Sequence, residues 1–80
     1  MPIYEVTNVL YPKRKSEFSV LVSRETRDVQ VIQAPDGDTA LRVSFVGLMP
    51  IYGDAFEYGD ITLREEIDDE WVAVPIDEED

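Results

Sequence analysis

Seven acidic side chains late in the chain are the residues whose type and spacing suit chemistry. They are Glu57, Asp60, Glu65, Glu66, Asp68, Asp69 and Glu70. Carboxylate oxygens suit Ca²⁺ and Mg²⁺, but residues 65–70 lack the spaced ligands, central Gly and distal Glu of a calcium loop. Asp36-Gly37-Asp38 fits a turn and a helix cap better than a metal loop. We therefore expect no metal site and no cofactor.

Catalysis is the less favoured use of these carboxylates. A carboxylate pair divides acid and base roles only when its surroundings push the two pKa values apart, and these residues lie in polar runs. The 80-residue chain has no His and no Cys, which removes imidazole bases, thiolate nucleophiles, disulfides and the usual zinc ligands. The sequence therefore favours a protein that is not an enzyme.

The negative charge is concentrated in one half of the chain. Residues 1–35 hold four acids and five bases, a net of +1, whereas residues 36–80 hold fourteen acids against two arginines, a net of −12. Such a field attracts basic partners and repels nucleic acid and anionic membranes. A solvated face that keeps a small protein soluble is the plainer interpretation.

The size of this charge favours a more specific interpretation. Carboxylates at alternate strand positions lie roughly 6.6 Å apart, a spacing comparable to that of successive phosphates along a nucleic-acid backbone. We therefore expect the seven carboxylates to occupy the basic site of a nucleic-acid-binding protein or nucleoprotein complex.

Four aromatic residues have two interpretations: Tyr52, Phe56, Tyr58 and Trp71. They form a satellite core under a long loop, or they anchor a partner, a role in which Trp and Tyr are favoured. In the second case the chain is an interaction or assembly module whose apolar surface binds a partner unrelated to nucleic acid. One form of that module is a homodimer built through an exposed strand edge.

Strands are predicted in the first part of the chain. Residues 3–9 are rich in β-branched and aromatic side chains and end near Pro12 and the basic residues 13–15. Residues 17–24 alternate in the manner of a half-buried strand, and residues 28–33 resume this pattern after the polar residues 24–27. The pair is typical of a hairpin with a short loop.

The middle of the chain is ambiguous between a helix over residues 39–49 and an alternating strand. The helix is favoured because a sheet with one apolar face needs a cover. Asp38 is expected to cap it, and its apolar stripe is expected to be Leu41, Phe45 and Leu48. Gly47 and Pro50 indicate its end.

Residues 52–60 are interpreted as a Gly- and aromatic-rich connection, residues 61–63 as a strand that leads into the acidic run, and residues 71–74 as a final strand. The sequence thus predicts a single α+β domain over residues 1–76, an antiparallel sheet of three to five strands with one helix packed on one face. Residues 77–80 are expected to be a frayed acidic tail. No apolar run approaches the roughly 20 residues of a membrane span and no leader is evident, so we expect a cytoplasmic protein.

Two resemblances add to these expectations. Residues 18–22 (FSVLV), 29–34 (VQVIQA), 36–41 (DGDTAL) and 58–63 (YGDITL) resemble the small ββαβ proteins of phages and mobile elements, the DpnD/PcfM type. The size, acidity and lack of catalytic residues are similar to those of anti-CRISPR proteins and other phage-encoded DNA mimics. The second resemblance implies that the protein blocks the DNA-binding channel of a nucleoprotein effector in the cytoplasm of a host cell.

Overall fold

The computed structural model describes residues 1–12 and 25–76. The elements, in chain order, are β1 (Ile3–Pro12), β2 (Thr26–Gln33), α1 (Gly37–Tyr52), a 3₁₀ turn (Gly53–Ala55), β3 (Phe56–Ile67) and β4 (Glu70–Ala73). All strand pairs are antiparallel, in the sheet order β2-β1-β3-β4. The predicted α+β fold, one helix on an antiparallel sheet, is confirmed for these residues. The predicted strand 17–24, the basic residues 13–15 and the tail 77–80 lie outside the described residues.

β1 is one of the two inner strands of the sheet, and the alternate side chains that it buries are apolar except for Asn8. Tyr4 and Val6 lie in the main core cluster together with Ile32 of β2, Leu63 of β3 and Ala40 of α1. The register explains this grouping, since Tyr4 lies opposite Ile32, and Val6 lies opposite Leu63. Residues directly opposite each other share a sheet face. These positions therefore form the face that α1 covers.

The helix is confirmed, but its cap, buried stripe and end differ from those predicted. Asp36, not Asp38, is the N-cap, and its carboxylate accepts a hydrogen bond from the Thr39 backbone N–H at 2.8 Å. The backbone of Asp36 is extended, as an N-cap requires, whereas Asp38 already lies in the first helical turn. That hydrogen bond, with a smaller contribution from Arg42, lowers the pKa of Asp36.

The buried residues of α1 are Ala40, Ser44 and Leu48. Of the predicted stripe, Leu48 is buried and Leu41 is partly buried against the core. The predicted Phe45 is 49% exposed. The stripe is displaced because Ser44, a polar residue that apolar periodicity does not select, meets a polar partner in β1. The side-chain amide of Asn8 donates to Ser44 Oγ at 3.1 Å, and both residues are buried. Pairing satisfies the two polar groups, so both are tolerated inside the fold.

The helix also runs past both predicted stop signals to Tyr52. Gly47 lies where the helix approaches β2, and a Cβ there would come within 3.4 Å of Gln30 Oε1. The amide nitrogen of Gln30 donates to the Ser44 carbonyl at 3.3 Å. Packing against β2 thus outweighs the low helix propensity of Gly47. Pro50 falls in the last turn, and the helix ends at Gly53, which has φ of 56°.

Two strands begin earlier than predicted. β3 begins at Phe56 instead of residue 61, so most of the predicted 52–60 connection is strand. Its register against β1 shifts between Asn8 and Leu10, where Gly59 and Asp60 together face Val9, as in a β-bulge. A Cβ at Gly59 would lie 2.7 Å from the Tyr11 ring, which accounts for the glycine.

β2 begins at Thr26, inside the predicted 24–27 break, and pairs with β1. Its Val29 and Val31 are exposed on the face opposite α1, because Val31 lies opposite Glu5 rather than beside the core residues. Among the described residues, no helix has the length and apolar character needed to cross a membrane.

Candidate functional site

β3 and β4 are joined by a two-residue turn at one end of the sheet. Ile67 pairs with Glu70, and Asp68 and Asp69 form the turn. Their φ values of 53° and 67° are both positive, as in a type I′ turn. Asp enters this left-handed region more readily than most residues do, although Asn-Gly is the favoured pair. Residues 65–70 are called the acidic hairpin below.

Five of the seven predicted carboxylates lie on this acidic hairpin. Four of them are exposed and Glu65 is half-buried. The register places Glu65 and Glu70 on the face that α1 covers and Glu66 on the opposite face, with the two aspartates at the tip. The carboxylates therefore surround the end of the hairpin from both faces.

Glu57 and Asp60 are not part of this group. Both lie near the beginning of β3, and nine residues of extended chain, roughly 30 Å, separate Glu57 from Glu66. The molecule measures 47 × 25 × 23 Å, so this separation covers most of its length. The predicted set is thus divided between a dense group of five and a sparse pair.

The arginine that precedes the acidic hairpin is already engaged in an ion pair. Arg64 directly precedes the hairpin, and its Nε donates to Glu5 Oε1 at 2.7 Å, with Nη2 bonding the same oxygen. Glu5 lies opposite Arg64 in the β1–β3 register, which brings these two side chains together. Residues 65–80 contain no Lys and no Arg. The hairpin carboxylates therefore present a negative charge that no neighbour in the sequence offsets.

The field of the hairpin reaches the edge of the core. Burial raises the pKa of the Tyr4 hydroxyl, and the nearby charges of Glu65 and Asp36 raise it further. Glu65 lies directly opposite Tyr4 in the β1–β3 register.

Three of the four predicted aromatic anchors join the end of α1 to the beginning of β3. The rings of Tyr52 and Phe56 meet edge to face at 5.2 Å, and Tyr58 lies 5.5 Å from Phe45. The Tyr52 hydroxyl donates to Asp28 at 3.3 Å, and the Tyr58 hydroxyl donates to the Gly53 carbonyl at 3.1 Å. Burial, then the carboxylate of Asp28, raises the pKa of Tyr52.

Trp71 is placed differently from the other three aromatic residues. It lies opposite Glu66 on the sheet face away from α1, and it is 37% exposed. Val29 and Val31 lie on the same face of β2. Of the predicted anchors, Trp71 is thus the one beside the acidic hairpin.

An open pocket of about 530 Å³ lies between the start of α1 and the segment that follows β4. Its lining includes Asp36 and Asp38 together with Leu41, Leu63 and Ile76. Asp36 is occupied in capping the helix, so these two carboxylates do not form a free pair. Among residues 1–12 and 25–76, no three carboxylates are arranged to hold a metal ion.

Reasoning from the sequence missed two features of this region. The ion pair between Glu5 and Arg64 joins residues 59 apart, and only the strand register reveals it. The sequence does contain a weak turn signal at Asp68-Asp69, because Asp tolerates positive φ. This signal was overlooked because the two residues lie within a run of acids. Comparison of the chain with protein-family models, with curated proteins and with solved structures finds no match.

Proposed function

We propose that this protein binds the basic nucleic-acid site of another protein without catalysing a reaction, and that the acidic hairpin occupies positions otherwise taken by phosphates. The observation that carries the proposal is the group of five carboxylates within six residues at the end of a two-stranded hairpin. The adjacent cation, Arg64, is paired with Glu5. A partner cation can therefore approach the hairpin without displacing Arg64.

The geometry supports phosphate mimicry through spacing. Successive acids of the hairpin are one or two residues apart along the chain, roughly 3.3–6.6 Å of strand rise, and none lies directly opposite another, because Glu65, Glu66 and Glu70 pair with Val72, Trp71 and Ile67. These separations are of the same order as the spacing of charges along a nucleic-acid strand. A hairpin with acids on both faces and at its tip suits a groove of the partner in which both walls carry cations.

The exposure of the hairpin supports binding rather than catalysis. Glu66, Asp68, Asp69 and Glu70 are exposed, so their surroundings lack the burial that divides acid and base roles between two carboxylates. Within this proposal the protein acts as an inhibitor or modulator, in the manner of the phage-encoded DNA mimics that it resembles in size and charge.

The proposal is tested with a pair of variants that lose the same net charge. Glu66→Gln with Glu70→Gln removes two charges from the hairpin, and Asp38→Asn with Asp54→Asn removes two exposed charges elsewhere. Each immobilised protein is incubated with a cell lysate at about 50 and 200 mM salt, with and without excess duplex DNA. The captured proteins are then identified by mass spectrometry.

We expect the wild-type protein and the Asp38/Asp54 variant to retain nucleic-acid-binding proteins that duplex DNA or the higher salt displaces. The Glu66/Glu70 variant is expected to lose them, because exposed charge pairs contribute about 0.2–1 kcal/mol each and two are removed. Equal retention by both variants, or retention that duplex DNA does not disturb, contradicts the proposal.

The assembly module is the second candidate, and the exposure of Trp71 on the sheet face away from α1 favours it. Val29 and Val31 lie on the same face but on the opposite edge strand, and the Glu5–Arg64 ion pair lies between them and Trp71. Binding through this face would depend on Trp71 and would change little with salt, since apolar contacts are not screened. Trp71→Ala measured under the same two salt conditions separates the candidates: loss at both salt concentrations favours the module.

A further inference from the structure

The first half of β3 has a free edge in the part of the chain that the structure describes. β4 pairs only with β3 residues 64–67, and the Val74 N–H extends this pairing by donating to the Leu63 carbonyl at 2.9 Å. Before Leu63, residues 56–62 pair with β1 on one side, and none of the residues 1–12 and 25–76 pairs with the other side.

The backbone of Ile61 points toward this free edge. The Leu63 carbonyl faces the β4 side, and successive residues of a strand direct their N–H and C=O groups to opposite sides. Thr62 therefore bonds toward β1, whereas Ile61 directs both groups outward. Unpaired strand edges of this kind accept an added strand from another chain.

Apolar side chains border the edge on the side of α1. Ile61 is 41% exposed, and Phe45 and Met49 of the helix are also exposed. Phe45 packs on the Tyr58 ring, and Met49 Sδ lies 3.7 Å from the Tyr58 hydroxyl oxygen, which places both helix residues over β3. A strand added beside β3 would bury its helix-side residues against these three side chains.

The charge along the edge indicates the chemistry of the added strand. Residues 55–63 contain Glu57 and Asp60 and no Lys or Arg. A second copy of this chain, paired edge to edge, would bring Glu57 and Asp60 close to their counterparts, which like charges oppose. A strand with basic side chains meets no such opposition.

We propose that the free edge of β3, residues 56–62, binds an extended basic segment of the partner by strand addition. The segment alternates apolar residues, which pack beside Ile61 and Phe45, with Lys or Arg. This inference rests on the proposed function, because it names a second contact made by the same basic partner. The acidic hairpin and the free edge then lie along one strand, so a single partner can use both.

The experiment uses a capped hexapeptide of alternating lysine and valine as its probe. A matched peptide carries N-methyl groups on the valine amides, which removes half of its donors without changing its charge. Affinity is measured by titration, and amide hydrogen exchange and NMR shifts locate the peptide on the full chain. We expect slowed exchange at the Ile61 amide and affinity at least about tenfold weaker for the methylated peptide, or about 1.4 kcal/mol.

A proline pair tests the same contact from the side of the protein. Ile61→Pro removes an N–H of β3 that points out of the sheet, and Ala73→Pro removes an N–H of β4 that also points outward. Neither N–H makes a hydrogen bond within the sheet. We expect Ile61→Pro to weaken the unmethylated peptide about tenfold and Ala73→Pro to leave it unchanged. Circular dichroism checks that both variants fold. If one variant does not fold, the comparison of the methylated and unmethylated peptides on the wild-type chain still tests the contact.

Three outcomes would overturn the inference. The first is equal affinity for both peptides, and the second is a set of shifts confined to residues 65–70; either leaves the proposed function standing. The third is a concentration-dependent dimer in sedimentation that Ile61→Pro abolishes, which identifies a second copy as the occupant. The opposite combination of results is also possible. If exchange at Ile61 slows but the Glu66/Glu70 and Asp38/Asp54 variants capture the same proteins from the lysate, the proposed function is refuted and strand addition at the β3 edge still holds.

Discussion

The part of the sheet under α1 and the acidic hairpin differ in what their side chains contact. Under the helix, alternate residues of β1 are buried together with Ile32 of β2 and Leu63 of β3, and even the polar pair Asn8 and Ser44 is enclosed and hydrogen-bonded. On the acidic hairpin, four of six side chains are exposed acids. One strand, β3, passes through both regions.

This difference indicates how stability and binding are divided. Substitutions under the helix change buried contacts, whereas exposed substitutions usually alter stability by less than about 0.5 kcal/mol. Charge on the hairpin is therefore available to a partner at small cost to folding. The same division lets the two regions be tested separately.

The largest effect is expected at the buried polar pair. Ser44→Ala leaves the Asn8 amide without its partner in the core, so we expect the free energy of unfolding to fall by about 1–3 kcal/mol. Urea unfolding followed by circular dichroism measures the change. Binding of basic partners at temperatures where the variant is folded should be unaffected.

A double variant checks the reason for that loss. Asn8→Leu combined with Ser44→Ala replaces both polar partners with apolar groups, and we expect it to regain much of the lost stability. If the double variant is as unstable as the sum of its two single variants, the loss is due to packing rather than to an unsatisfied amide.

The next effect is expected at the turn, where stability and binding should change in opposite directions. Asp68→Asn with Asp69→Gly gives the sequence favoured in a type I′ turn and removes two charges. We expect the midpoint of thermal unfolding to rise by a few °C, roughly what 0.5–1 kcal/mol gives at this size, while affinity for basic partners falls. A lowered midpoint would show that the carboxylates themselves hold the turn.

The smallest effect is expected when the carboxylate that caps α1 is exchanged for an amide, and this effect depends on pH. The folded-state pKa of Asp36 is lowered, so its contribution is present above the pKa of the unfolded chain and is lost as pH falls through the folded value. Asp36→Asn keeps a capping oxygen that does not titrate. We expect the two proteins to have similar midpoints at pH 7, and the wild type to lose stability relative to the variant from about pH 5 downward.

A matched change shows whether the cap itself is responsible. Asp36→Ala removes the capping oxygen, so we expect a midpoint lower than that of Asp36→Asn at pH 7, by about 4–8 °C. If the difference between wild type and Asp36→Asn stays constant between pH 7 and 3, the ionised carboxylate makes no contribution to the fold.

The sequence was sufficient for the fold class because local patterns specify it. The β-branched residues of β1 and the apolar content of residues 39–49 indicated a strand and a covering helix, and the structure has both. The position of the buried stripe could not be obtained in the same way. The position of the stripe depends on the hydrogen bond between Asn8 and Ser44, which are 36 residues apart in the sequence, whereas apolar periodicity takes no account of polar side chains.

The extent of β3 was missed for a related reason. Gly59 and the aromatic residues before residue 61 are typical of a loop, yet Gly59 is required by the close approach of the Tyr11 ring at a bulge. The grouping of the acids was predictable only in part. Residues 65–70 are adjacent in sequence and stay together in a hairpin, whereas the distance of Glu57 and Asp60 from them follows from the length of the strand.

The central claim is that charge placed on the hairpin, rather than net charge, binds the partner. Once a nucleic-acid-binding partner is captured, its dissociation constant is measured for the Glu66/Glu70 and Asp38/Asp54 variants, which have the same net charge, at about 50 and 200 mM salt. The account predicts several-fold weaker binding for the hairpin variant alone, together with a smaller dependence on salt. Equal dissociation constants for the two variants at both salt concentrations would contradict it.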